Sequence, residues 1–465
     1  MHKYDILENI LIEKLIFGGS GLATAPNGQK IIVAGGAIPA SYVDLRITKV
    51  HKNRIDAQVV RTVKKSPYEQ PIPEGWQLYG GCKWLPIPYE KQLEIKETQI
   101  HEAFHPLKDA TNNTTFHSII PSPESEHYRN KVEFSWGKYI SDREGIHDEY
   151  RFGFHAPAQF DRIIDSTYCV LADDEVNAIF RDIDNFARAY HLPTYDPKTA
   201  QGFWRHLVIR KAKKTGETMI LWSLNTDFPG YTAKEQTDLR FFSETLVTRH
   251  PNIVSIHLLH NTGRADIVTG ETECIFGKNT ITEELLGFHF EIAPKSFFQV
   301  NTLGAEKLYT RAIDSIKHRG GILLDLYAGT GTIGIILSEH FEKVYSVEVV
   351  ESATADGKRN AIKNGRDNVE FINQKVEDFV KTFDRKGSKV TIVLDPPREW
   401  LHPNAIDPIA AFNADEIIYV SCNPATLARD LWGFVEKGYR LTDVTPMDMF
   451  PHTHHIETVV RMEKV

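Results

Sequence analysis

The stretch Ile322-Leu-Leu-Asp-Leu-Tyr-Ala-Gly-Thr-Gly-Thr-Ile-Gly334 decides the fold of the carboxy-terminal part of the chain. An apolar run typical of a buried strand ends in glycines with the spacing G-x-G-x-x-G, and a helical pattern begins at Thr332. Glu348 ends the next apolar run. Glycines let a ligand approach the backbone, and an acid at the end of the second strand accepts hydrogen bonds from ribose hydroxyls. The pattern predicts a ribose-bearing ligand and leaves NAD and S-adenosylmethionine open.

Strand and helix patterns alternate on both sides of this stretch, which is typical of a doubly wound α/β domain. Helices are predicted from Thr332 and over Ala353–Asn364. The predicted strands are Ile322–Leu326, Val344–Val347, Val369–Ile372, Thr391–Leu394 and Ile417–Ser421. We expect this domain to cover residues 294–465.

The amino-terminal segment has a different pattern, of short strands separated by glycine and asparagine turns. Strands are predicted over Ile10–Phe17, Ile31–Ala34, Tyr42–Val50 and Arg54–Val63, which indicates a small all-β barrel over residues 1–66. This segment holds ten Lys and Arg against five Asp and Glu, a local net charge of +5, whereas the whole chain carries −8. A local basic surface can bind a polyanion whatever the total charge. An ordinary solvated surface explains the same charges equally well.

Residues 74–293 show a mixed α+β pattern with poorly marked boundaries. Helices are predicted over Tyr89–Phe104 and over residues 174–191, and strands over Lys131–Trp136 and His206–Arg210. A helical part near residues 90–125 could pack on the carboxy-terminal domain.

The composition is that of a globular protein, with 41% hydrophobic and 25% charged residues. The chain has no run of about 18 apolar residues that could span a bilayer, and no apolar leader follows Met1. Four cysteines in so long a chain do not make a disulfide framework. We therefore expect a cytoplasmic enzyme with no membrane partner, and infer no obligate protein partner.

Cys422 stands where the strand predicted to end at Ser421 gives way to a helical pattern. The carboxyl end of a strand in an open α/β sheet faces the crevice where such sheets bind ligands, so this thiol is placed to act as a nucleophile. The strand predicted to end at Leu394 is likewise followed by a polar motif, Asp395-Pro-Pro-Arg398. The alternative is that Cys422 is a small buried hydrophobic residue.

The ordered set of motifs resembles one family, the RNA (uracil-5)-methyltransferases. The resemblance rests on Phe17-Gly-Gly-Ser-Gly-Leu22, Tyr128-Arg-Asn-Lys131, Arg205-His-Leu207, Ser296-Phe-Phe-Gln-Val-Asn301, Leu324 to Gly334, Asp395-Pro-Pro-Arg398, Ser421-Cys-Asn-Pro424 and Phe450-Pro-His-Thr-His-His-Ile-Glu457. It implies an OB-like TRAM barrel that binds RNA at residues 1–66, a central α+β RNA-binding domain at 74–293, and an S-adenosylmethionine-dependent class I methyltransferase domain at 294–465.

The implied reaction is transfer of a methyl group from S-adenosylmethionine to C5 of a uridine in RNA. The resemblance favours 23S rRNA as the substrate, with tRNA as the alternative. Two other functions stay open: a cytosine-5 methyltransferase, which also uses a cysteine adduct, and a non-catalytic RNA-binding protein that retains the fold.

The resemblance also assigns roles to single residues. Cys422 is expected to add to C6 of the base, and Glu457 to take the proton from C5 after methylation. The expected S-adenosylmethionine contacts are Gln299, Tyr327, Glu348 and Asp395. Phe297 is expected to pack on a nucleotide flipped out of the RNA, although the sequence gives no reason to prefer it to Phe298. The expected RNA phosphate contacts are Arg129, Lys131 and Arg205.

One departure from the family concerns metals. The family often binds an iron–sulfur cluster through four cysteines, and here Cys82 and Cys169 keep two of these positions while Pro73 and Tyr79 occupy the others. Two thiolates are too few to hold a cluster in the usual way, so we expect none. The histidines of the last motif, His452, His454 and His455, lack spaced cysteine or carboxylate partners, so no metal site is predicted.

Overall fold

The fold is described from a computed structural model of the 465-residue chain. It describes residues 1–72, 81–141, 145–156, 159–166, 168–190, 192–397, 401 and 403–465. Pro73, Tyr79 and Arg398, which the sequence analysis named, lie outside these ranges.

The amino-terminal segment forms a six-stranded sheet in the order β1-β5-β6-β4-β3-β2. Its strands are β1 (Ile6–Leu11), β2 (Lys14–Leu15), β3 (Gly21–Thr24), β4 (Lys30–Ala34), β5 (Tyr42–Val50) and β6 (Arg54–Lys64). Alternate side chains such as Val43, Leu45 and Ile47 are buried in its own hydrophobic core. The predicted strand Tyr42–Val50 is confirmed.

The prediction of a single strand over Ile10–Phe17 is wrong, because the chain there is divided between β1 and β2. The register of β1 against β5 shifts between Leu7 and Ile10, and Asn9 in this interval has a φ of 53°. A bulge of this kind bends a strand and ends its regular pairing. The bend lets one short segment supply both edge strands of the sheet, β1 and β2.

The middle of the chain contributes a seven-stranded sheet in the order β10-β9-β8-β11-β12-β13-β14. The elements from residue 89 to 292 are α1 (Tyr89–Phe104), β7 (Thr115–Phe116), β8 (Lys131–Ser141), β9 (Ile146–Ala156), β10 (Gln159–Asp165), α2 (Asp174–Tyr190), β11 (Trp204–Lys211), β12 (Thr218–Leu224), α3 (Ala233–Arg249), β13 (Ile253–His260), β14 (Glu271–Gly277), β15 (Ile281–Leu285) and β16 (Phe288–Ile292). Residues of α2 and α3 share its core with Trp136, Trp204 and Trp222.

The carboxy-terminal part forms an eight-stranded sheet with helices packed on it, a mixed α/β arrangement. Its order is β19-β18-β17-β20-β21-β23-β22-β7. The elements are α4 (Thr302–Ser315), β17 (Ile322–Leu326), α5 (Thr332–Leu337), β18 (Lys343–Glu348), α6 (Glu351–Lys363), β19 (Val369–Asn373), α7 (Val376–Thr382), β20 (Val390–Leu394), α8 (Pro403–Ala411), β21 (Glu416–Ser421), α9 (Pro424–Glu436), β22 (Tyr439–Met447) and β23 (Glu457–Lys464).

In this sheet the strand order reverses at β17, near the middle. Strand β17 pairs in parallel with β18 on one side and with β20 on the other, so the chain leaves it in opposite directions. Open α/β sheets bind ligands outside the carboxyl ends of their strands at such a reversal. The last strand, β23, runs antiparallel between β21 and β22.

Helix α1 packs on this eight-stranded sheet although it precedes it by some 200 residues. Ile100 and Phe104 of α1 are buried in the same hydrophobic cluster as Leu431 of α9 and Val444 of β22. Strand β7 then adds to the sheet edge beside β22. Within the ranges that the structure describes, no helix combines the length and apolar character needed to cross a membrane.

Candidate active site

The loop after β17 has the backbone geometry that its glycines allow. Gly329 and Gly331 have φ values of 54° and 73°, and Tyr327 also lies in the left-handed region, at 62°. A β-carbon on Gly334 would collide with Ser346 Oγ and Asp325 Oδ2. Because Gly334 lets α5 approach β17 and β18 this closely, its backbone N–H donates to Asp325 Oδ2 at 3.0 Å.

Glu348 ends β18 beside this glycine loop, as the motif predicts. Its Oε2 accepts a hydrogen bond from the Gly329 N–H at 3.0 Å, and its Oε1 accepts one from the Val350 N–H at 2.7 Å. The carboxylate is partly exposed, and the exposed side chains of Val349 and Val350 follow it. An acceptor for ribose hydroxyls therefore adjoins a loop that a ligand can approach.

Two acids lie on the neighbouring strands β17 and β20: Asp325 is buried within β17, and Asp395, which is partly exposed, directly follows β20. Burial, and then the Asp325 carboxylate, raise the pKa of Asp395 to about 7. The pKa of Asp325 is also raised to about 7, mainly by burial, against the hydrogen bonds from Ser346 and Gly334. Both carboxyl groups therefore titrate near neutral pH.

Tyr309 of α4 lies near the carboxyl groups of Asp325 and Asp395 and also near that of Glu457. No sequence motif pointed to this tyrosine. Its side chain is buried, and burial followed by the carboxylates of Asp395, Asp325 and Glu457 raises its pKa well above the usual value. The phenol is hydrogen-bonded to the side chain of Gln299. Only the packing of α4 against the sheet brings this hydroxyl to the carboxyl groups.

Cys422 and Glu457 come together through strand register. The antiparallel pairing of β21 with β23 ends with Ser421 opposite Thr458, and the same register continued by one residue sets Cys422 opposite Glu457. Directly opposed residues of antiparallel strands have Cα atoms roughly 4.5–5.5 Å apart. Glu457 is buried and Cys422 is partly exposed. The sheet thus sets a thiol next to a buried carboxyl group at the crevice.

Helix α9 begins directly after Cys422. The side chain of Asn423, at the N-cap, accepts hydrogen bonds from the backbone N–H groups of Ala425 and Thr426. A helix N-terminus favours negative charge nearby. The local sequence therefore holds the thiol at the positive end of a helix.

The loop between β22 and β23 carries the histidine motif, and α1 holds it. The Gln92 side chain donates to His452 Nδ1 at 3.0 Å and accepts from the His452 backbone N–H at 2.8 Å. Lys96 forms a fully buried ion pair with Asp448 at 2.7 Å. Burial lowers the pKa of His452 to about 4, so the ring is neutral at physiological pH. His452 is thus a packing partner of α1.

His454 lies on the other side of this loop, against the amino-terminal sheet. Its ring is 6.4 Å from that of Phe17, and a β-carbon on Gly19 would approach its Nδ1 to 3.2 Å. In the part of the chain that the structure describes, no three His, Cys, Asp or Glu side chains form a group that could hold a metal ion. Cys82 and Cys169 are both buried in the core of the seven-stranded sheet.

The structure distinguishes the two phenylalanines that the sequence could not. Phe297 is 70% exposed, whereas Phe298 is 5% exposed and its ring lies 6.0 Å from that of Phe290 in the core. Gln299 follows them and lies beside residues 129–131, because its carbonyl accepts a hydrogen bond from Asn130 Nδ2 at 2.9 Å. Phe297 is therefore an aromatic ring at the surface next to the candidate cofactor site.

Arg129 and Lys131 are partly exposed beside this segment, but the expectation for Arg205 needs correction. Arg205 is 1% exposed, and its guanidinium donates to the carbonyls of Asn261, Gly263 and Ala265 and stacks on the Tyr195 ring at 3.9 Å. A group that is buried and bonded to three carbonyls cannot also bind a phosphate. Its role is to hold the chain after β13.

The residues present suit a nucleoside-bearing cofactor held between the glycine loop, Glu348, Asp395 and Gln299. Such an arrangement at the reversal point of an α/β sheet defines the class of nucleotide-cofactor enzymes. Comparison with known proteins then specifies the class. A family model described as tRNA (uracil-5-)-methyltransferase matches residues 252–465.

Relatives and a solved structure match over nearly the whole chain. An uncharacterized RNA methyltransferase of Caldanaerobacter subterraneus is 34% identical, covering 100% of both chains. One from Clostridium tetani is 37% identical, covering 97% of this chain and 96% of its own. The crystal structure of Pyrococcus abyssi tRNA (uracil-54, C5)-methyltransferase in complex with S-adenosyl-L-homocysteine is 25% identical, with a TM-score of 0.75 over 98% of this chain and 100% of that one.

The chain belongs to the RNA (uracil-5-)-methyltransferase family. It is accordingly an enzyme that transfers methyl groups to RNA, and its cofactor is S-adenosylmethionine.

Proposed function

We propose that this enzyme methylates C5 of a uridine in RNA through a covalent adduct between Cys422 and C6 of the base. The observation that supports this most directly is the register that opposes Cys422 to the buried Glu457 at the carboxyl end of β21. A thiol nucleophile and a general base on the same side of one substrate are what this reaction requires.

The reaction begins with addition of the Cys422 thiolate to C6, which turns C5 into a nucleophile. The positive end of α9 favours the thiolate. S-adenosylmethionine supplies the electrophilic methyl group that C5 attacks. Glu457 then takes the proton from C5, the electron pair of that C–H bond reforms the C5–C6 double bond, and the Cys422 thiolate leaves.

The remaining site residues bind and orient. Glu348 accepts hydrogen bonds from the ribose hydroxyls, Gln299 and Tyr327 contact the cofactor, and Asp395 lies between cofactor and base. Tyr309 hydrogen-bonds Gln299 and lies near Glu457, so it couples the orientation of the two. Phe297 stacks on the flipped base, for which its exposure suits it.

Arg129 and Lys131 bind RNA phosphates beside this base. The architecture fits an OB-like TRAM barrel at residues 1–66, a central RNA-binding domain at 74–293 and a class I, doubly wound methyltransferase domain at 294–465. Helix α1 is an insertion of the central segment that packs on the last of these. Lys49 and Lys52, exposed at the β5–β6 turn, are available for RNA.

The substrate is 23S rRNA or tRNA. The similar solved structure is that of an enzyme named for a tRNA uridine. Mass mapping of 5-methyluridine after incubation of the enzyme with each RNA, both taken from a strain that lacks the gene, identifies the substrate and the position. A cytosine-5 product, or no product with either RNA, would contradict the proposal.

The mechanism is tested with two variants and a matched control. Cys422→Ala should abolish methyl transfer while S-adenosylmethionine binding stays within about twofold, because the thiol acts on the base. Glu457→Gln should methylate the base but fail to release it, so that a covalent protein–RNA complex is retained on a denaturing gel. Cys274→Ala, in β14 of the central sheet, should keep full activity. A Cys422→Ala protein that turns over would overturn the proposal.

A further inference from the structure

Strand β11 carries a buried arginine that the proposed mechanism does not use. Arg210 is 4% exposed, and burial alone lowers its pKa to about 10. Its Nη2 donates to the Ser296 carbonyl at 2.9 Å, but Nη1 is buried and has no hydrogen-bond partner among the described residues. A buried donor without a partner loses its hydration and gains nothing in exchange.

The neighbours of Arg210 make its position less favourable still. The pairing of β11 with β8 sets Arg210 directly opposite Lys131, and Arg129 lies two residues before Lys131. Like charges opposed across antiparallel strands repel each other. Burial, then Arg210, lowers the pKa of Lys131, and the opposing effect of Glu133 is weaker. Among the described residues, none of these three cations forms an ion pair.

Three neighbouring cations, none in an ion pair among the described residues, favour a ligand that brings negative charge. The Arg210–Ser296 hydrogen bond ties this cluster to the residue preceding the exposed Phe297. The backbone bridge between Arg129 and Asn301 holds its other end to the same segment. An anion bound here would lie next to the ring proposed to stack on the flipped base.

We propose that Arg210, Lys131 and Arg129 form a phosphate site that binds the backbone of the substrate RNA at the flipped nucleotide. This inference rests on the proposed function, and it adds Arg210 as the buried member of the site. Lys131 and Arg129, which are partly exposed, meet the phosphate oxygens, and the buried guanidinium of Arg210 adds positive charge directly behind them. The bound phosphate offsets the repulsion among the three cations.

The structure supplies a matched control on the same strand. Arg205 is also a buried arginine of β11, but its guanidinium already donates to three carbonyls. Arg210→Met should weaken binding of a single-stranded oligouridylate about tenfold. It should also make the fall of log affinity with log salt shallower, by about 0.7 for one lost phosphate contact. Its melting temperature should equal or exceed that of the unaltered enzyme, because one of three repelling charges is gone.

Arg205→Met should change stability and leave the salt dependence of RNA binding as it was. Its melting temperature should fall, since three carbonyls lose their donor, while the salt slope of RNA binding stays unchanged. Lys131→Met is a second variant that keeps the Arg210–Ser296 hydrogen bond, and it should reproduce the weaker binding and the shallower slope without loss of stability.

Inorganic phosphate is the direct probe. It should raise the melting temperature of the unaltered enzyme more than chloride at equal ionic strength does, and this difference should vanish in Arg210→Met. Equal stabilisation of both proteins, or unchanged RNA affinity and slope in Arg210→Met and Lys131→Met, would overturn the proposal. These binding measurements need no methyl transfer, so a failure of the uridine-methylation mechanism would show itself separately, in the Cys422 and Glu457 variants.

Discussion

At the scale of single residues, nearby side chains of the same type differ in exposure and in hydrogen bonding. Phe297 and Phe298 are adjacent, yet one is exposed and the other lies in the core. Arg205 and Arg210 share a strand, yet the guanidinium of Arg205 donates to three carbonyls and that of Arg210 to one. Residue type therefore predicts the available chemistry, and the surroundings decide whether it is used.

The phenylalanine pair gives a direct test of base stacking. Phe297→Ala should reduce RNA affinity by about 1–3 kcal/mol, the usual value of a base on an aromatic ring, and should change stability by less than about 0.5 kcal/mol. Phe298→Ala should cost about 3–5 kcal/mol of stability, because it empties a core position. Chemical denaturation and RNA titration of both proteins measure this. Equal effects of the two changes on RNA binding would contradict the role of Phe297.

The buried acid Asp325 predicts a pH dependence of stability. Its pKa is raised to about 7 in the folded protein from an ordinary value of 3.8, so the folded state holds a proton that the unfolded state has lost over this interval. Its stability contribution is complete below about pH 4 and is lost as the pH rises through about 7. Between pH 5.5 and 7.5 the free energy of unfolding should fall by about 2 kcal/mol from this group.

Denaturation of the Asp325→Asn protein checks the assignment. Asparagine keeps an oxygen that can accept from the Gly334 N–H and does not titrate, so the decline over this pH interval should be smaller. The same change at Asp407, whose side chain is 73% exposed, should leave the decline as it was. A decline that persists in full in Asp325→Asn would show that other groups cause it.

At the scale of elements, helix α1 has an effect that its position in the sequence does not suggest. It contacts the amino-terminal sheet through Gln99, whose Nε2 donates to the Leu15 carbonyl at 3.0 Å. Through Gln92 and Lys96 it holds the loop from Asp448 to Ile456, which leads directly into Glu457. The orientation of the proposed base therefore depends on a helix more than 300 residues earlier in the chain.

Two glutamines of α1 separate this positioning from general stability. Gln92→Leu removes the partners of the His452 ring and backbone, so Glu457 should act more slowly and covalent protein–RNA complex should accumulate, as in Glu457→Gln. Gln99→Leu should lower stability by a similar amount, about 1–3 kcal/mol, without any such accumulation. A denaturing gel after a fixed reaction time, read beside melting curves, measures both. If covalent protein–RNA complex accumulated in neither Gln92→Leu nor Gln99→Leu, α1 would only stabilise the fold.

At the scale of the whole molecule, the amino-terminal sheet and α1 meet the eight-stranded sheet at the loop between β22 and β23, which carries His452 and His454. Phe17 and Gly19 approach His454, while Gln92 reaches His452 on the other side of the same loop. The proposed RNA-binding barrel and the proposed base are therefore neighbours.

The central sheet is expected to fold without iron. Cys82 and Cys169 are buried in its hydrophobic core with Tyr128 beside both of them. Protein purified without oxygen should contain no stoichiometric iron and no broad visible absorption band, and a chelator should leave its melting temperature unchanged. About four irons per chain would show the expectation to be wrong.

The sequence by itself determined the elements with strong local patterns. The helix around Tyr89 to Phe104 and the strand Ile322–Leu326 were predicted where the structure has them, because periodicity, proline and glycine act within a few positions. The motif around Gly329 to Gly334 and the acid at Glu348 came equally from local rules. The family followed from the order of such motifs, and the comparisons confirm it.

Only the tertiary structure decided which distant groups meet. Nothing local to Tyr309 or Arg210 distinguishes them from core and surface residues, since their neighbours come from other strands and helices. The last two strands, β22 and β23, were not predicted, although the register of β23 is what opposes Glu457 to Cys422. Burial and charge act through space, so the burial of Arg205, the exposure of Phe297 and the hold of α1 on the catalytic loop arise only when the sheets pack together.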